Sequence, residues 1–163
     1  MNIDDIRQRL AALGAKPVHV QRVLRQWTHA LPFDQGPRQP EHWLPLAVRE
    51  ALPGLTSDLS GLVRLLSQHP GDDGSARLLL ALGDGQAVEA VVLAPDRTPG
   101  LCVSTQVGCA VGCQFCMTGQ SGLLRQLGSA EIVAQVALAR ALRPVHKVVF
   151  MGMGEPAHNL DNV

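Results

Sequence analysis

Apolar residues recur every three or four positions at the start of the chain, in Ile3, Ile6, Leu10 and Leu13, which places them on one face of a helix. Asn2 is placed to cap that helix, Asp4 and Asp5 suit its positively polarised first turn, and Gly14 supplies a stop. Pro17 suits the first turn of a second helix whose apolar face carries Val20, Val23, Leu24 and Trp27. Pro32, Gly36, Pro37 and Pro40 predict a loop. A third helix is expected after Pro45, using Leu46, Val48, Ala51 and Leu52. It should end near Pro53-Gly54, where proline has no N–H to continue the ladder.

From Leu62 the pattern becomes that of strands. Residues 62–66 read as one strand, Gly71-Asp72-Asp73-Gly74 as a turn, and 76–82 with 86–93 as the arms of a hairpin around Gly83-Asp84-Gly85. Pro95 and Pro99 bracket a linker. Residues 101–105 predict a short strand and 106–120 a loop rich in Gly and Cys. Ser129 is expected to cap a helix carrying Ile132, Val133, Val136 and Leu142, with Arg140 and Arg143 near its negative end. The run 145–151, apolar apart from His146 and Lys147, reads as a strand buried within a parallel sheet and leads into Gly152-Met153-Gly154-Glu155-Pro156. The predicted chain is α/β in three parts: a helical domain over 1–56, a small β element and linker over 57–98, and a β-α-β unit over 99–163. Ligands of such units bind beyond the carboxyl ends of the strands. The cysteine-bearing loop and the Gly-Glu turn both fall there.

Composition narrows the picture without naming a function. Of 163 residues, 46% are hydrophobic and 17% charged, which suits a folded domain. Lys+Arg and Asp+Glu are equal at 14 each, so global charge gives no support for nucleic-acid binding. No apolar run reaches the roughly 18 residues of a membrane helix, and the acidic start Met1-Asn2-Ile3-Asp4-Asp5 is unlike a signal peptide. The expectation is a cytoplasmic monomer with no membrane attachment. His19, His29, His42, His69, His146 and His158 show no ligand spacing. Trp27 and Trp43 read as core, and Arg22 and Arg25 as a solvated helix face.

The four cysteines, Cys102, Cys109, Cys113 and Cys116, all lie in one short stretch. A disulfide framework would scatter them, so clustering points to a metal or redox site. Cys109-x-x-x-Cys113-x-x-Cys116 offers three thiolates on one loop, a soft donor set suited to zinc, copper or an iron–sulfur cluster, with one coordination position left open. Gly108 and Gly112 let the backbone wrap tightly there. The alternative is structural zinc, with Cys102 or a histidine as the fourth ligand.

With Phe115 as the aromatic of Cys-x-x-x-Cys-x-aromatic-Cys, the loop resembles the radical S-adenosylmethionine (SAM) signature, and Gly152-Met153-Gly154-Glu155-Pro156 resembles that superfamily's Gly-Gly-Glu-Pro turn. The string from Cys102 through Gly122, then Glu131-Ile132-Val133-Ala134-Gln135-Val136, together with Asp84-Gly85 and Val88-Glu89, is similar to the RlmN/Cfr-type family. That resemblance implies a helical accessory domain followed by the start of an incomplete (β/α) radical SAM barrel. It implies methylation of an adenine carbon, C2, in 23S ribosomal RNA and in some members tRNA, with flavodoxin or a similar protein as electron donor. Cys109, Cys113 and Cys116 would hold a 4Fe–4S cluster, while Phe115, Gly154 and Glu155 would contact SAM. Cys102 would correspond to the cysteine that assists product release through a disulfide, and Glu89 to a proton acceptor. Their plain readings are a buried strand thiol and a solvent-facing hairpin residue. Met117, Leu123 and Gln126 depart from the family pattern, the last two standing where Phe and Asn are usual, whereas Arg125 is kept. The family carries a methyl-bearing cysteine further along, and none follows Cys116 here. The 163-residue chain is therefore expected not to complete methylation by itself.

Overall fold

The computed structural model describes residues 1–33, 43–94 and 98–163. Gly36, Pro37, Pro40 and His42, and the linker residue Pro95, lie outside the described residues. Helix α1 (Ile3–Ala12) forms as its apolar spacing dictates, burying Ile6 and Leu10. The Asp5 carboxylate accepts the Asn2 N–H at 2.7 Å, and Gly14 follows the helix at φ +83°. Helix α2 (Pro17–Thr28) opens on proline and buries Val20 and Val23. Arg22 is less free than a solvated face would leave it, since its guanidinium stacks over Trp43 at 4.3 Å from the ring centroid.

Helix α3 (Leu46–Gly61) does not end at Pro53-Gly54 but runs through it. The expected stop weighed only the lost N–H. Beyond the proline, Leu55 and Leu59 continue the buried stripe begun by Val48, and Arg9 of α1 pairs with Asp58. Burying two leucines contributes on the order of 3 kcal/mol or more, enough to offset one missing helix bond. Because Pro53 is exposed, P53A is expected to raise stability by about 1 kcal/mol, part of the regained bond being offset by a looser unfolded chain. Thermal denaturation should show a rise of about 2–4 °C in Tm.

Strands β1 (Val63–Pro70), β2 (Ala76–Leu82), β3 (Ala87–Val92), β4 (Gly100–Cys102) and β7 (Lys147–Val149) form a single sheet in the order β1-β2-β3-β4-β7. The first three pairings are antiparallel and β4·β7 is parallel. The expected hairpin is thus continuous with the β-α-β unit. Helix α4 (Ser129–Leu142) makes the crossover and packs on the face carrying Leu78, Leu80, Val88, Ala90, Val92, Leu101 and Val103. A second apolar cluster joins α1, α2 and α3, with Trp27 and Leu62 touching both.

Two expectations fail at the ends of α4 and β7. Gly128, not Ser129, occupies the cap position, and the Ser129 hydroxyl instead accepts the Ile3 N–H at 2.9 Å. The run 145–151 forms only three strand residues, none of them fully buried, because β7 is an edge of the sheet. The supposed loop 106–120 also hides a strand. β5 (Gln106–Gly108) pairs antiparallel with β6 (Leu123–Gln126) in a separate two-stranded sheet.

Candidate functional site

Backbone pairing between the β4 and β7 segments continues past both strands and joins the Gly152–Glu155 turn to the residues that lead into the cysteine loop. Val103 N–H donates to Val149 O at 2.9 Å and Gly152 N–H to Val103 O at 3.0 Å. Thr105 and Gln106 N–H groups both reach Met153 O, at 2.9 and 3.2 Å. Gly152 passes so close that a Cβ would lie 2.6 Å from Val103 O, which restricts the position to glycine.

Glu155 follows on this turn. Its N–H donates to the buried Gln106 Oε1 at 2.7 Å, and its carboxylate accepts the Ala157 N–H at 2.9 Å, capping a short 3-10 turn, Pro156–His158. Gly154 sits at φ +99°. Both Gly154 and Glu155 are half-buried at the mouth of the sheet.

The cysteine loop leaves from the end of β5. Cys109 N–H donates to Gly122 O at 3.0 Å, closing the loop at its base, and Cys116 N–H donates to Cys113 O at 3.1 Å. A Cβ on Gly108, at φ +78°, would lie 2.0 Å from Gly122 O, so only glycine permits this closure. Cys113 is exposed, Cys109 and Cys116 are half-buried, and all are free thiols. The Thr118 hydroxyl and backbone, with the Gly119 backbone, hold the Cys116 thiol below its ordinary pKa, favouring the thiolate. Phe115 is 93% exposed on the same loop.

Among the described residues, no three His, Cys, Asp or Glu side chains are gathered around a single-ion position. A 4Fe–4S cluster asks for a different arrangement, because its thiolates bind separate irons and need not meet at one point. Three free thiols on one loop, closed by glycine and with hydrogen-bond donors at Cys116, fit that donor set. Cys102 stands apart in β4. It is 6% exposed, and burial pushes its thiol pKa up, partly offset by the Met151 backbone.

Glu89 lies on β3 with its carboxylate 3.0 Å from Arg77 Nη1. Val91 pairs with Cys102, and Glu89 is two residues from Val91, so register puts Glu89 and Cys102 on the same face of the sheet, away from α4. The Glu89 carbonyl accepts the Ser104 hydroxyl, which in turn accepts the Met153 N–H at 2.8 Å.

Sequence reasoning missed the polar residues that knit this site. Gln135 of α4 clamps Ser104, accepting its N–H and donating to its carbonyl, both at 2.9 Å. Asn159 donates to the Thr105 and Leu127 carbonyls at 2.8 and 2.9 Å. The available signal was a run of hydroxyls and amides, Ser104-Thr105-Gln106, inside a stretch short and apolar enough to be buried. Arg125 joins three elements. Its Nη1 and Nη2 contact Glu131 at 2.9 and 2.8 Å, and its Nε contacts Asp84 in the hairpin turn at 2.6 Å.

The chain superposes over 99% of its length on a crystal structure of a radical SAM methyltransferase from Sphaerobacter thermophilus, with a TM-score of 0.72 and 32% identity, covering 48% of that chain. The chain is thus similar, over nearly all of its own length, to about half of a radical SAM methyltransferase. Proteins named probable RNA methyltransferase from Azoarcus sp., Leptothrix cholodnii and Stutzerimonas stutzeri are 71%, 69% and 68% identical to it. Each alignment takes in all of this chain and 46%, 46% and 47% of the relative. The chain thus spans about half the length of the curated relatives it matches. No family model matches it. The α/β architecture, with its helical layer and β-α-β unit, is the part of that structure the chain matches. No described helix is long and apolar enough to cross a membrane.

Proposed function

We propose that Cys109, Cys113 and Cys116 hold a 4Fe–4S cluster, that the Gly154-Glu155 turn receives the amino end of SAM, and that the whole protein methylates an adenine carbon, C2, of RNA. The observation that supports this reading is that the three-thiol loop and the Glu155 turn both follow the carboxyl ends of the paired β4 and β7 segments. Such a cluster, when bound with SAM, supplies one electron and thereby a carbon radical. The chain's own residues do the positioning. Gly108 and Gly122 close the thiol loop, and the Glu155 carboxylate offers an acceptor to an ammonium group. Phe115 is free to pack against a bound nucleoside.

Glu89 would accept a proton at its carboxylate, with Arg77 fixing the rotamer, and Cys102 would serve as a thiol on the same sheet face. Ribosomal RNA and tRNA are the proposed substrates, and the helical layer over 1–56 the accessory part that handles them. The β element over 57–98 would link that layer to the barrel portion over 99–163. A flavodoxin-like donor and a cytoplasmic setting complete the reading, since reduced thiols and low-potential electrons are both found there.

Anaerobic reconstitution with iron and sulfide tests it. The protein should turn brown, bind about four irons per chain and, with dithionite, cleave SAM to 5′-deoxyadenosine and methionine. A colourless protein retaining one zinc would sink the reading and leave a structural metal module in its place.

A further inference from the structure

The buried Gln106 holds the Glu155 turn from one side through a chain of amides. Gln106 is fully buried, with 0% exposure. Its Oε1 accepts the Glu155 N–H at 2.7 Å, and its Nε2 donates to Gln126 Oε1 at 2.9 Å. Gln126 Nε2 then donates to the His158 carbonyl at 2.8 Å. The two glutamines therefore grip both ends of the short turn that carries Glu155. Gly154 rests on the same side chain, since a Cβ there would lie 2.5 Å from the Gln106 Cβ.

The same two residues face each other in the β5·β6 register, where Gln106 pairs with Gln126. β5 leads directly to Cys109, and the base of the cysteine loop closes on Gly122, next to β6. The relay thus connects the thiol loop to the Glu155 turn by side-chain hydrogen bonds, in addition to the backbone pairing. Gln126 stands where the resembled pattern has Asn. An Asn is shorter by one methylene and could not span from the Gln106 amide to the His158 carbonyl in this geometry. Gln106 is buried, and there an amide whose partner is removed keeps its own desolvation cost, so its links to Glu155 and Gln126 hold one another.

We propose that Gln106 and Gln126 are positioning residues that set the Glu155 turn at a fixed distance from the cysteine loop, and so tune SAM affinity without contacting iron. The inference rests on the reading of Glu155 as a SAM contact. Q106M keeps side-chain length and removes the acceptor for Glu155, and Q126N restores an amide of the pattern's length while breaking the far link. Both variants should keep the iron content of the parent after reconstitution. Both should speed amide hydrogen exchange in the 153–158 segment by about tenfold or more, leave α4 unchanged, and weaken SAM binding in equilibrium dialysis by about tenfold for Q106M and less for Q126N.

If the parent protein binds iron but no SAM, the reading of Glu155 fails and the inference with it. If the parent binds SAM and both variants bind it equally well, the positioning role alone is overturned. Should Q106M fail to fold, Q126N decides, because its half-exposed side chain can be shortened without opening the core. Unchanged exchange at 153–158 in folded Q126N overturns the relay whatever the SAM result.

Discussion

C113A is expected to lose nearly all of its iron after anaerobic reconstitution, falling from about four atoms per chain to below about one, and with it all reductive cleavage of SAM. Cys113 is exposed, so its replacement removes a ligand without removing packing. C102A gives the contrast that makes the result specific. Cys102 sits in β4, buried, with its thiol pKa raised by that burial, and is not part of the loop. Its replacement should leave iron content and visible absorbance at the parent level. If C102A empties the site as thoroughly as C113A, the metal is held by four thiols, and the open position required for SAM does not exist. Iron assay and charge-transfer absorbance read both variants in one experiment.

The second large effect concerns stability. E131Q should cost about 2–3 kcal/mol at neutral pH, seen as a drop of about 5–10 °C in Tm. The Glu131 side chain is 10% exposed. It receives two Arg125 nitrogens and the Gly128 N–H, the last at 2.8 Å. The figure lies at the low end for a buried pair because Arg125 keeps 31% of its side chain in water.

The pH dependence follows from the direction of the shift. Burial alone would raise the Glu131 pKa, but the Arg125 hydrogen bonds and the Gly128 N–H outweigh it, so the folded value lies below the ordinary 4.5. A depressed acid stabilises the fold fully above its unfolded pKa. The stability gap between parent and E131Q should therefore be constant above about pH 5.5, shrink as pH falls through 4.5, and close below the folded value. Asp84, lowered by the same arginine, acts with the same sign. A gap that widened on acidification would contradict the assignment. Chemical denaturation at a series of pH values measures it.

Local chemistry was most legible where one residue type can do only one thing. The Gly83-Asp84-Gly85 and Gly71–Gly74 turns, the proline opening α2 and the apolar stripe of α1 all form as their sequences require. The closure of the thiol loop was legible in Gly108, while the use of its three cysteines is a proposal for the iron assay to decide. The misses share a cause in tertiary context. α3 runs through Pro53 because Leu55 and Leu59 find a partner surface that no local rule contains. The pair β5·β6 was invisible because Leu123-Leu124-Arg125-Gln126 has no alternation and gains its strand character from β5. Ser129 was read as a cap because its neighbours in sequence are all a local rule sees, whereas its hydroxyl faces Ile3, 126 positions away. The amide network around Ser104 and Gln106 was missed because a polar residue in a strand is ordinarily assigned to the wet face.

That bond between Ile3 and Ser129 ties the start of the helical layer to the crossover helix. The first turn of α1 docks on the first turn of α4, with Asn2 Oδ1 accepting the Ser129 N–H at 3.2 Å and the Met1 carbonyl lying where a Cβ on Gly128 would be. The apolar face of α1 is seated on α2 and α3, but the polar groups of its first turn find these partners only once the crossover segment exists. A fusion partner joined directly to Met1 would therefore press on the hinge between β6 and α4.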